Sequence, residues 1–243
     1  MIIDLFKQGL RPQEIIYYLI IFLFALTISF AFHEFMHAAV AVWLGDETPR
    51  NMGRLTLNPI AHLDPMGTFL LLVAGFGWGK PVMYNPSRLH RFKSHRWMNI
   101  MVHLAGVTGN FFIAYIATIL ALLFGGLCIK FPGMTNAFGA LEDAFNYTYI
   151  FSMSLLAFNL LPIPPLDGFH VLEELLPYKF KASDGYRKFQ SVAPMILMVL
   201  FLASSFGSIP ILGTLLQIIK TPFEYIISIL CMPFYLIFQM MGM

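Results

Sequence analysis

Ala31 to Ala39 reads Ala-Phe-His-Glu-Phe-Met-His-Ala-Ala. Between Ile15 and Leu44, the only charged or imidazole side chains are His33, Glu34 and His37. In a helix, residues four apart lie one turn up the same face, so His33 and His37 can both reach one metal ion with Glu34 beside it. This H-E-x-x-H spacing suits zinc held by two imidazoles, with the glutamate as general base for hydrolysis. Ionisable groups inside an apolar span are costly and usually functional, which favours chemistry over chance here.

A catalytic zinc site needs a third protein ligand and an open position for water. Asp167 is the best candidate, at the end of Asn159-Leu160-Leu161-Pro162-Ile163-Pro164-Pro165-Leu166-Asp167-Gly168. Prolines at 162, 164 and 165 exclude a regular helix there, so the chain unwinds just before the carboxylate. The plainer role for Asp167, capping a following helix, is compatible with ligation. His62 and Asp64 suggest a second metal only weakly; His62 lies in a turn-rich loop and is read as bonding backbone. His90, His95, His103 and His170 are read as solvated or structural.

The elements that must position these groups are membrane elements. The 243-residue chain is 58% hydrophobic and 12% charged, with 25 Phe and a mean hydropathy of +0.72. Soluble chains are about a quarter charged, so the composition predicts an all-α polytopic membrane protein, and the net charge of +2 does not point to nucleic acid. Cys128 and Cys231 stand singly in apolar runs, which excludes a C-x-x-C site. The first apolar run follows Lys7 and Arg11 like a signal peptide. It continues too long for one and carries the candidate site, so it is expected to be retained.

Long helices are expected over 15–44, 98–125 and 144–166, with two more near 191–206 and 209–232 or 222–241. That makes about five to six transmembrane helices in a single domain over 1–243, its catalytic core at about 15–175 and its C-terminal helices at 191–243. Thr68 to Val82 is apolar, glycine-rich and too short to span, which predicts a small re-entrant β or hairpin element. A short strand is expected near Arg54–Leu57. Eleven of the fifteen Lys and Arg residues lie in the loops 45–98 and 167–190. The positive-inside rule puts both loops in the cytosol. The histidines then sit roughly 10–15 Å below the cytosolic surface, at 1.5 Å per residue. Arg88, Arg91, Lys93 and Arg96 read first as that orientation signal and second as a lipid headgroup contact.

Together these motifs resemble the site-2 protease family of intramembrane zinc metalloproteases. The H-E-x-x-H helix and the Asn159–Gly168 segment occur in the family's order. Between them lie Gly53-Arg54-Leu55-Thr56-Leu57-Asn58-Pro59, Asp64-Pro65-Met66-Gly67-Thr68 and Gly77-Trp78-Gly79-Lys80-Pro81-Val82. The pattern is similar to the compact prokaryotic branch without PDZ or CBS domains. The resemblance covers about residues 20–175. It implies His33, His37 and Asp167 as ligands of one Zn2+ per chain and Glu34 as catalytic base. Asn159 matches an asparagine that orders the site or engages substrate, and Asn110 a second-span asparagine. Val107 departs from the family's usual proline, and Phe169-His170 departs after the Asp-Gly.

The implied substrate is a transmembrane protein, cut within or next to its membrane segment near the cytosolic face, either in regulated intramembrane proteolysis or to clear a remnant signal peptide. The implied location is the prokaryotic cell membrane. A helical substrate must unwind before attack, and the 68–82 element could pair with it by strand addition. A zinc-binding transporter and a non-catalytic scaffold for membrane peptides are the alternatives. Neither needs a non-ligating base beside the histidines.

Overall fold

The computed structural model describes residues 9–74, 77–206 and 211–242. Its first helix, α1 (Pro12–Trp43), starts where Pro12 sets the backbone and Glu14 accepts from the Arg11 N–H at 2.8 Å. The helix stops at Leu44, whose C=O accepts from His90 N–H. A four-residue helix, α2 (Thr48–Asn51), and a second short one, α3 (Pro65–Ala74), follow. Then come α4 (His95–Lys130), capped by Ser94, and α5 (Thr135–Asn159). The chain continues through α6 (Asp167–Leu175), α7 (Tyr178–Lys181), α8 (Asp184–Phe206) and α9 (Ile211–Met240).

Helices α1, α4 and α5 pack together as the central layer. Small residues let them approach. Ala25, Ser29, Ala38 and Ala41 of α1 are buried, as are Ala105, Gly106, Gly109, Ala114 and Ala117 of α4. Apolar helices in lipid gain little from hydrophobicity alone, so close backbone approach and interhelical hydrogen bonds hold them. Ser29 Oγ to Ser152 Oγ at 2.8 Å is one such bond between α1 and α5. One apolar cluster joins Val107 and Ala114 to Met153, Leu156, Ile227 and Cys231, seating α9 on the pair α4–α5. Another joins Leu161 and Leu166 to Leu197 and Leu212, tying the proline segment to α8 and α9.

Among the described residues, three helices are long and apolar enough to cross a membrane: α1, α4 and the Leu212–Met240 part of α9. At 1.5 Å per residue the 32 residues of α1 reach about 48 Å, well beyond a hydrocarbon core of about 30 Å. The outer face of α9 exposes Ile218, Ile226, Ile229, Leu230 and Leu236. A soluble protein would have to cover such a patch; lipid does not demand it. Pro194, Pro222 and Pro233 lie inside continuous helices.

Two expectations are revised. Among the described residues there is no strand. Arg54–Leu57 is irregular, held by an Arg54 guanidinium bond to the Ala61 carbonyl and by Thr56 carrying the Asn58 turn. The expected hairpin is, over Pro65–Ala74, a helix begun by Asp64 Oδ1 accepting from Gly67 N–H at 2.9 Å. Thr-Phe-Leu-Leu-Leu-Val-Ala has no breaker, and a carboxylate one residue ahead of Pro65 is a helix start. Residues 75–76, at the expected hairpin apex, lie outside the described part. The return leg, from residue 77 on, has no regular secondary structure and meets the outgoing chain at one antiparallel bridge, Leu63 to Gly79.

Candidate metal centre

His33 and His37 are 4% and 9% exposed on the inner face of α1. Their Nε2 atoms stand 3.1 Å apart. The unwound stretch after Asn159 turns the chain so that Asp167 opens α6 against them. Its Oδ2 lies 3.4 Å from His33 Nε2 and 3.3 Å from His37 Nε2. Gly168 permits this turn: a Cβ there would sit 2.4 Å from the Leu160 carbonyl oxygen. Zinc–ligand bonds of 2.0–2.2 Å in a tetrahedron put ligand atoms about 3.3 Å apart. The observed triangle has that size. Among the described residues these three form the one His/Cys/Asp/Glu group close enough to hold an ion.

The protons sharpen the point. His37 Nδ1 lies 2.7 Å from the Val102 carbonyl, so Nδ1 carries the hydrogen and a neutral ring turns the Nε2 lone pair toward the other two ligands. Asp167 Oδ2 is buried without a hydrogen-bond partner. Asn110 reaches His33 Nδ1 at 3.0 Å through its amide, while its Oδ1 is left unsatisfied. Turning that amide over gives His33 Nδ1–H an acceptor and directs the His33 Nε2 lone pair inward as well. Three lone pairs then meet in a buried space, which is repulsive unless a cation occupies it. The residues fit a divalent ion. Space is kept for it by Gly106, where a Cβ would lie 2.3 Å from His37 Nε2 and 2.5 Å from His33 Cε1.

Glu34, 7% exposed, accepts from the Val82 N–H through Oε2 at 2.9 Å. It makes none of the close contacts of the three-atom cluster. Val82 lies in a segment without regular secondary structure that is tethered at both ends. Lys80 N–H donates to the His62 carbonyl at 2.7 Å, and Asn85 N–H donates to the buried Asp46 carboxylate at 2.6 Å. A cavity of about 370 Å³ opens over the site, lined by the three cluster residues, Glu34, Val82, Tyr84, His103, Asn159 and His170 among others.

The structure thus gathers His33, Glu34, His37, Asp167 and Asn159 around one cavity, with Asn110 behind His33 and outside the lining. Asn110 is fully buried against His33. Asn159 lines the wall and donates to the Leu155 carbonyl. His62 bonds the Thr56 carbonyl and Asp64 caps α3, so neither joins the cluster. Sequence reasoning missed Gly106, Val82, Tyr84, His103 and His170. His103, Gly106 and Asn110 are spaced three and four apart, a helical-face signal pointing at the same site. Tyr84 and Val82 are held by tertiary contacts and left no local mark. Burial first, then the negative charges of Glu174, Asp167 and Asp46, raise the Tyr84 phenol above its ordinary pKa, so it is a standing O–H donor.

Comparison with known proteins gives the family. Residues 125–204, which include Asp167, match the description "Peptidase family M50". "Putative zinc metalloprotease YwhC" of Bacillus subtilis (strain 168) is 40% identical over 191 residues, 78% of this chain and 82% of that protein. This chain belongs to peptidase family M50. Two further relatives are named "Putative zinc metalloprotease Rip2". The Mycobacterium tuberculosis (strain H37Rv) protein is 32% identical over 182 residues, 72% of this chain and 64% of its own length. The Mycolicibacterium smegmatis protein is 31% identical over 173 residues, 68% of this chain and 60% of its own. No solved structure matches the M50 chain. As an M50 member of the site-2 type it is an intramembrane metalloprotease.

Proposed function

We propose that this protein cuts a membrane protein within or next to a transmembrane segment, near the cytosolic face, with His33, His37 and Asp167 holding one zinc ion and Glu34 as general base. The observation that carries the reading is the tetrahedron-sized triangle of inward lone pairs with a non-ligating carboxylate beside it. When bound, zinc lowers the pKa of a coordinated water toward about 7 and polarises the scissile carbonyl.

The chain's own groups do the rest. Val82 N–H fixes Glu34 Oε2, and Glu34, on the cavity wall, takes the proton of the attacking water and passes it to the leaving amine. The Val102 carbonyl and the Asn110 amide set the tautomers of His37 and His33. Asn159 on the cavity wall offers its carbonyl oxygen to the substrate backbone. The non-helical Lys80–Asn85 segment, whose Pro81–Tyr84 line the cavity beside Glu34, is where an unwound substrate would lie.

α5 and α8 complete five spans with α1, α4 and α9. The cytosolic placement of the site is supported by the eleven of fifteen basic residues in the loops flanking it. The test is cleavage of a single-span model substrate by purified protein. A zinc chelator should abolish cleavage and added zinc restore it; cleavage that persists in the metal-stripped protein would refute the reading.

A further inference from the structure

The outer supports of the metal-site candidates come from one face of α4. Val102 holds His37, Asn110 holds His33, and Gly106 between them leaves room for the ion. His103 stands on the same face and is unused by the mechanism so far. Its Nδ1 is 3.9 Å from Asp167 Oδ1, the oxygen turned away from the histidine pair. Its Nε2 is 3.0 Å from the Tyr84 hydroxyl. Its ring stacks on His170, with centroids 4.7 Å apart and planes at 19°.

We propose that His103 is a positioning residue for Asp167: Tyr84 donates its O–H to His103 Nε2, which places the His103 proton on Nδ1, aimed at Asp167 Oδ1. This rests on the metal reading given above. A ligating carboxylate with one oxygen fixed by a donor presents the other oxygen to the ion at a set angle, and outer partners of this kind change metal affinity 10–100-fold. At 3.9 Å the contact is electrostatic and longer than a full hydrogen bond. The effect therefore belongs at the lower end of that range. His170 keeps the ring in plane, and Tyr84 ties the third ligand to the segment whose Val82 holds Glu34. One loop then sets both the base and a ligand.

The test is zinc affinity of the full-length protein in detergent, by competition with a chromophoric chelator. It compares wild type with Tyr84→Phe and with Ala, Gln and Asn at position 103. An asparagine amide overlays the Nδ1 position and can still donate to Asp167; a glutamine amide overlays Nε2 and cannot. Ala and Gln should weaken binding about tenfold, while Asn stays within about threefold. Tyr84→Phe should weaken binding about threefold alone and not at all when added to His103→Ala. Wild-type affinity in all the variants, or Gln binding better than Asn, would overturn the proposal, because a space-filling role favours the longer side chain. Failure of the wild type itself to bind zinc would instead overturn the metal reading beneath it.

Discussion

Gly106→Ala adds one methyl group at the point where α4 faces the two histidines. The new Cβ would lie 2.3 Å from His37 Nε2, 2.5 Å from His33 Cε1 and 2.7 Å from His33 Nδ1. Ordinary contact begins near 3.4 Å. Both imidazoles, or α4 itself, must therefore move by about 1 Å, whereas metal–ligand distances tolerate about 0.2 Å. His37 cannot yield without breaking its bond to the Val102 carbonyl, nor His33 without leaving Asn110. The expected result is loss of zinc affinity beyond the roughly 100-fold ceiling of an outer-partner change. Overall stability should change far less. Alanine gains about 1 kcal/mol of helix propensity over glycine, against about 1–3 kcal/mol of overpacking. Affinity from chelator competition and thermal unfolding of the metal-free protein separate the two effects. Gly139→Ala, where nothing lies within 4 Å of the added carbon, should leave affinity unchanged. Wild-type zinc affinity in Gly106→Ala would refute the claim that an ion sits between these rings.

Other substitutions probe separate parts of the site. Asn110→Ala removes the partner of His33 Nδ1 and should cost 10–100-fold in zinc affinity while the helices stay packed, read by the same competition assay. Val82→Pro removes the N–H that holds Glu34; a hydrogen bond to a charged group is worth about 1.5–3 kcal/mol, so kcat should fall by roughly 10–100-fold with zinc retained. Ser29→Ala breaks the bond to Ser152 between α1 and α5 and should lower stability by about 0.6 kcal/mol, measured by unfolding in detergent.

The site was legible in the sequence where its residues had local cause to be odd. Two histidines one turn apart stand out in an apolar helix, and Asp167 follows a proline run that no span needs. The depth of that run matched the histidines because both lie at the same ends of their helices. The shell around the ion was hidden for the opposite reason. Gly106 reads as one more small residue in a close-packed helix, and only the histidines across from it show why a side chain cannot be there. Val82 reaches Glu34 across 48 positions, through a loop whose shape depends on Asp46 and His62. The glycines at 75, 77 and 79 suggested a hairpin, but the breaker-free run before them is helical as far as Ala74. At the C-terminus the two alternatives, 209–232 and 222–241, are parts of one helix, α9, which runs through Pro222 and Pro233. Helices facing lipid keep their remaining backbone bonds, because no water competes for them.

The central claim is that Glu34 performs the proton transfers while three other residues hold the metal. Its most direct test is Glu34→Gln in the purified protein, with bound zinc and cleavage of a transmembrane substrate measured on the same sample. Glutamine keeps the shape and can still accept from Val82 N–H, but it cannot take a proton from water. One zinc per chain with cleavage reduced by about 10²–10⁴-fold is the expected result. Cleavage equal to wild type, or loss of zinc along with activity, would contradict that division of roles.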